Sequence, residues 1–159
     1  MKRKIVFITV LILALAAGLF AWQRLNSERF LVISDYKTHT VYAKHTIKAN
    51  DKLFFGWVHS LEKIPWHEYY HITEKDTLML ETISFPAFGA GIPANRGKKV
   101  RVENGLIYME EINQEFQQFD WINSHFATRD IKINGELWLT GKDLPEHERL
   151  ILKIERGGL

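Results

Sequence analysis

The chain has 159 residues, 46% of them apolar and none of them cysteine, with 21 Lys and Arg against 19 Asp and Glu. That is the size of one ordinary domain, large enough to bury a core without staples, and it excludes disulfides, thiolate metal sites and a lipid-modified cysteine. Setting aside Lys2, Arg3 and Lys4 leaves 18 basic residues against 19 acidic, so the +2 of the whole becomes −1 for the remainder, and the clustered positive surface that nucleic acid requires is missing.

Lys2, Arg3 and Lys4 are followed by an uncharged apolar run, residues 5–22, that closes on Trp22. A helix of about eighteen residues spans roughly 27 Å, close to the thickness of a bilayer's hydrocarbon core. With the basic cluster held in the cytoplasm and Trp22 at the interface, residues 1–25 are expected to form an uncleaved single-span anchor. Residues 26–159 then form a domain on the outer face of the cytoplasmic membrane, periplasmic or cell-surface. The competing reading is a cleaved signal peptide, because Ala14-Leu15-Ala16 has the small-x-small form a signal peptidase accepts. The run continues unbroken through Leu19 and Phe20, which argues for retention.

The rest reads as strands. Residues 30–33, 40–45, 52–58, 77–85 and 150–154 are short runs rich in Val, Ile, Thr and aromatics, separated by polar turns. Asn104-Gly105 and Asn134-Gly135 each predict a two-residue hairpin, since both central residues of a type I′ turn need positive φ. The first pairs Val102 with Ile107 and Val100 with Met109 on one face, and Arg101 with Tyr108 on the other. For the second, apolar residues of 131–133 and 136–139 point both ways, so the turn is clearer than the facing. Ile112, Phe116 and Phe119 stand at helical spacing and predict one short helix within 110–121. The fold class that follows is mainly β, a single antiparallel barrel or sandwich behind one N-terminal transmembrane helix. Trp57, Trp66, Trp121 and Trp138 are expected in its core.

Three constellations have chemical potential. His67-Glu68-x-x-His71 is a literal H-E-x-x-H, which on a helix would set both imidazoles on one zinc ion with Glu68 activating water. The surrounding Trp, Tyr and Ile favour a strand, where the two rings would stand about 13 Å apart, and no third ligand follows downstream, so a zinc hydrolase is the alternative reading. His59-Ser60-Leu61-Glu62, with Pro65 and Glu68 beyond, falls where a strand gives way to a turn. A His beside carboxylates can shuttle protons, bind an organic anion when protonated, or hydrogen-bond in a network; Ser60 lacks the glycines of a nucleophile elbow. Gly89-Ala90-Gly91-Ile92-Pro93 is a shaped loop with no phosphate-binding Lys-Ser/Thr.

The pattern His59-Ser60-x-Glu62-x-x-Pro65-x-x-Glu68, followed by Gly89-Ala90-Gly91-x-Pro93, resembles the signature of an uncharacterised family of small exported bacterial proteins associated with TRAP-type solute transporters of the TAXI class. The resemblance runs from the apolar N-terminus to about Val102. Beyond that it is confined to the strand and Asn134-Gly135 pattern, with Arg129-Asp130 where the family carries a histidine. It implies a non-catalytic accessory module touching the transporter's membrane subunits or its solute-binding protein. His59, Ser60, Glu62, Pro65, Glu68, Gly89, Gly91 and Pro93 would be the recognition residues. This reading assigns no catalytic residue, cofactor or metal.

Overall fold

The computed structural model describes residues 2–89, 91 and 95–157 and, within the N-terminal helix, the side chains of residues 6–19. Helix α1 (Lys2–Asn26) leads into β1 (Arg29–Asp35), β2 (Val41–Ile47), β3 (Lys52–Val58), β4 (Pro65–Ile72), β5 (Leu78–Phe85) and β6 (Lys99–Glu103). These are followed by β7 (Leu106–Glu110), β8 (Gln114–Phe116), β9 (Gln118–Ile122), β10 (Thr128–Ile133), β11 (Glu136–Thr140) and β12 (Arg149–Arg156). A four-stranded sheet runs β2-β1-β12-β9, and an eight-stranded sheet runs β11-β10-β3-β4-β5-β7-β6 with β8 on β5. Every described pairing is antiparallel. The open choice between barrel and sandwich resolves as two sheets facing one another.

Between the sheets lies one core. The small sheet supplies Leu31, Ile33, Leu150 and Leu152; the large sheet supplies Leu53, Phe55, Trp66, Tyr70, Ile72, Ile83, Phe85, Met109 and Ile131 among others. Strand alternation puts these residues on the inner faces. In β5 the inward residues are Leu78 and Leu80 and then Ile83 and Phe85. That change of phase coincides with a register shift opposite Tyr69 and Tyr70, since a bulge turns the following side chains over.

Both Asn-Gly turns form, with φ of 51° and 76° at Asn104 and Gly105 and of 53° and 86° at Asn134 and Gly135. The first hairpin has the expected register, including Arg101 opposite Tyr108. In the second, a shift between Ile131 and Lys132 explains why its facing was ambiguous. The helix expected within 110–121 is not formed. Glu111 and Asn113 have positive φ, 59° and 52°, and the chain crosses from the large sheet at β8 to the small sheet at β9. Phe116 and Phe119 therefore reach the core from two sheets, because pairing with β5 and β12 overrides a three-residue helical pattern.

The N-terminal run is one continuous helix of 25 residues, and its large apolar side chains from Val6 to Leu19 are 51–71% exposed. Among the described residues no helix is long and apolar enough to cross a membrane. The expected transmembrane segment is thus seen as a helix with an exposed apolar surface over residues 6–19. Trp22 lies outside the described side chains.

Leu152 is fully buried at the centre of the small sheet. Leu152→Ala is expected to cost about 2–5 kcal/mol in urea unfolding, whereas Leu137→Ala, at an exposed position of β11, should stay within about 0.5 kcal/mol. Equal costs would refute this placement of the core.

Candidate functional site

Two turns meet at one end of the large sheet. Residues 59–64 join β3 to β4: the N–H of His59 donates to the Ile64 carbonyl at 2.8 Å, and that of Lys63 to the His59 carbonyl at 2.9 Å. Lys63 has positive φ, 57°. The Glu62 N–H donates to Nδ1 of His59 at 3.5 Å, so the neutral imidazole has its hydrogen on Nε2. The ring lies over Trp57, 5.7 Å between centroids at 27°, and 5.7 Å from Trp66.

The second turn follows β5. A Cβ placed on Gly89 would sit 2.5 Å from Cδ of Glu62 and 2.7 and 2.8 Å from its oxygens, and one on Gly91 would sit 3.5 Å from the His59 ring. The two glycines serve different needs. At Gly89 the missing side chain is the space the Glu62 carboxylate fills; at Gly91 the backbone itself is left-handed, φ 80°, where other residues are strained. The two sequence motifs thus lock together through His59, Glu62, Gly89 and Gly91. Ser60 is an exposed turn residue and Pro65 an exposed strand opener. Pro93, with Ala90 and Ile92, lies outside the described residues.

Glu68 belongs to a different environment. On β4 the side chains of Trp66, Glu68 and Tyr70 share the inner face, and Glu68 stands between Phe55 and Ile83 on its neighbouring strands. Trp66 Nε1 donates to one carboxylate oxygen at 3.1 Å, and the Tyr70 hydroxyl donates to the other at 2.5 Å. Burial, reinforced by the charge and hydrogen bond of Glu68, pushes the Tyr70 pKa far above the ordinary tyrosine range, so that hydroxyl remains a donor. The carboxylate opens on a cavity of 380 Å³ between β9 and the inner face of β3–β5, whose walls include Phe55, Trp57, Phe119, Trp121 and Arg96. Trp66 links the two regions: its ring stacks on Phe85 at 5.1 Å, approaches His59, and binds Glu68 through its indole nitrogen.

The tryptophans split accordingly. Trp66 is core, and Trp138 packs half-buried against it, but Trp57 and Trp121 also line the cavity. The signal was present in period two: Phe55-x-Trp57 and Phe119-x-Trp121 each put two rings on one strand face. A second cavity, 420 Å³, is a groove on the outer face of the large sheet over Phe54, Tyr69 and Tyr108, and His59 lines neither.

H-E-x-x-H lies on a strand. His67 Nδ1 meets Ser84 Oγ at 3.1 Å and His71 pairs with Glu81 at 3.0 Å, both on the outer face, while Glu68 faces inward. Among the described residues no three His, Cys, Asp or Glu are grouped so as to hold a metal ion. The two imidazoles share a face but stand four strand residues apart, roughly 13 Å, with Glu68 on the other face, so the arrangement that a zinc hydrolase needs is not formed.

The domain of unknown function DUF1850 matches residues 53–138, more than half the chain. The chain belongs to the DUF1850 family. The match opens in β3 and closes in β11, so the DUF1850 region holds both motifs and the cavity walls; β1, β2 and β12 of the small sheet fall outside it. No curated protein and no solved structure matches the chain.

Gly91→Ala is expected to cost about 1–2 kcal/mol through its left-handed backbone. Gly89→Ala should cost less, because the clash falls on the end of a flexible side chain, but it must move Glu62; NMR shifts confined to 86–91, absent from 59–64, would contradict the lock. His67 provides a pH signature. Burial first, and Lys132 second, lower its pKa, with Asp130 opposing. The unfolded chain then binds more protons between the folded pKa and about 6.5, so stability rises with pH across that window. Tm should fall on acidification from pH 7 through that window, and His67→Gln should flatten the slope.

Proposed function

We propose that this DUF1850 protein is a non-catalytic binding module displayed on the outer face of the cytoplasmic membrane, accessory to a TRAP-type solute transporter, and that its partner is the transporter's soluble solute-binding protein. One observation carries the choice of partner. The chain leaves α1 at Ser27, where Arg29 and Arg156 both bind Asp76 in the β4–β5 turn, at 3.1 and 2.6 Å. The locked pair of turns stands at the other end of β4, a strand of eight residues or about 25 Å at roughly 3.3 Å per residue. A recognition surface at that distance from the helix suits a partner that arrives from solution better than one embedded in the bilayer.

The chemistry of that end agrees. Leu61, Phe88 and Val102 are 68%, 56% and 72% exposed, apolar side chains at the same end as the polar His59–Glu62 cluster, a mixture typical of protein contact surfaces. Support for display on a membrane comes from α1. An apolar helix whose large side chains from Val6 to Leu19 are 51–71% exposed gains most by entering lipid, where its backbone is already satisfied. The transporter association rests on the motif resemblance.

Mild detergent extraction followed by affinity purification of the full chain should recover the solute-binding protein. Leu61→Asp and Gly89→Ala should each lower that recovery at least about tenfold, the scale of one lost anchor. Protease added to spheroplasts should digest residues 26–159. A protected domain, or recovery unaffected by both variants, would sink the proposal.

A further inference from the structure

Glu68 is a carboxylate on the inner face of a sandwich, where strand alternation ordinarily puts apolar residues. Its two hydrogen-bond donors, Trp66 and Tyr70, are neutral. Among the described residues no Lys, Arg or His forms an ion pair with it: the cavity's cation, Arg96, is hydrogen-bonded to Gln114, and its other acid, Asp120, is paired with Arg149 at 2.7 Å. Arg96 lines the same cavity and its positive charge is felt at Tyr70, but it forms no ion pair with Glu68, and two donors leave further acceptor positions on the carboxylate open. Around it stand the partly exposed rings of Trp57, Phe116, Phe119 and Trp121, in a space of 380 Å³, within the range of small-molecule sites.

We infer that this cavity binds a small alkylated ammonium ion, with Glu68 as its counter-charge and the rings of Trp57, Phe119 and Trp121 as its walls. Each requirement of such a ligand is met by a residue already fixed. The charge needs a carboxylate that does not swing away, and Glu68 is held from two sides. Alkylated nitrogen is weakly hydrated and is attracted to aromatic faces, most strongly to tryptophan. Trp66 and Tyr70, each 4% exposed, are packed in the core and set the carboxylate's position. An organic anion placed against Glu68 would meet a carboxylate of like charge. The site lies across Trp66 from the locked turns, so this inference goes beyond the accessory reading and does not depend on it.

The test compares two probes of nearly the same shape on the full chain in detergent: choline, which is charged, and 3,3-dimethylbutan-1-ol, which is not. Binding is followed by tryptophan fluorescence, since Trp57 and Trp121 line the cavity, and by ligand-dependent thermal stabilisation. Choline should bind at least about tenfold more tightly than the alcohol, corresponding to about 1.4 kcal/mol. Glu68→Gln, which keeps the shape and removes the charge, should abolish that preference. Gly89→Ala should leave choline binding unchanged even where it lowers partner recovery, so the failure of either idea is read separately. Equal binding of the two probes, or no saturable binding of choline by either readout, would overturn the inference. The comparison on the unaltered chain decides it even if the Glu68 variant does not fold.

Discussion

The side-chain alternation of β4 is the constraint on which most of the molecule depends. Pro65 pairs with Val58 and Ile72 with Leu78, and between them each residue is committed to one face. Trp66, Tyr70 and Ile72 go to the core together with Glu68, while His67, Tyr69 and His71 face outward. A slip of one residue would bury three polar-edged rings and expose the tryptophan that ties the structure together. The same alternation separates Glu68 from the imidazoles on either side of it in sequence, which is why a string of letters common in zinc enzymes has no zinc geometry here.

Placing a carboxylate on an inner face conflicts with the burial of its neighbours, and the fold offsets that conflict locally. Two neutral donors hold it, and one of them, Trp66, also stacks between the β3–β4 turn and Phe85. A single indole therefore links a charged cavity to the loop cluster 59–64. Local conflict of this kind, retained in an otherwise consistent sandwich, is where function is usually found.

The other end of the domain is organised by charge. Arg29 opens β1, Arg156 closes β12, and both converge on Asp76 in the β4–β5 turn. This joins the two sheets where the chain arrives from α1. The effect is architectural: it fixes which end of the sandwich faces the helix and which end carries the paired turns. Because the ion pairs are partly shielded, each side chain being less than a quarter exposed, they are screened less by salt than surface pairs.

Much of this was legible in the residues alone because its causes are local. Asn-Gly demands positive φ wherever it stands, so both hairpins and the register of the first could be read directly. Period-two runs gave strands close to their observed limits, and the turn-forming character of 59–64 and 86–89 marked the candidate loops. Several features instead depended on partners distant in sequence. Phe116 and Phe119 look helical until β5 and β12 claim them for separate sheets. The bulge beside Tyr70 sets the phase of β5, and no nearby residue announces it. That Gly89 is small because Glu62 lies on it, and that Glu68 leaves the motif to face Trp57 and Trp121, are consequences of strand pairing across the whole domain. Turn chemistry is encoded within a few residues, whereas which side chains share a cavity is decided only when non-local strands are brought into register.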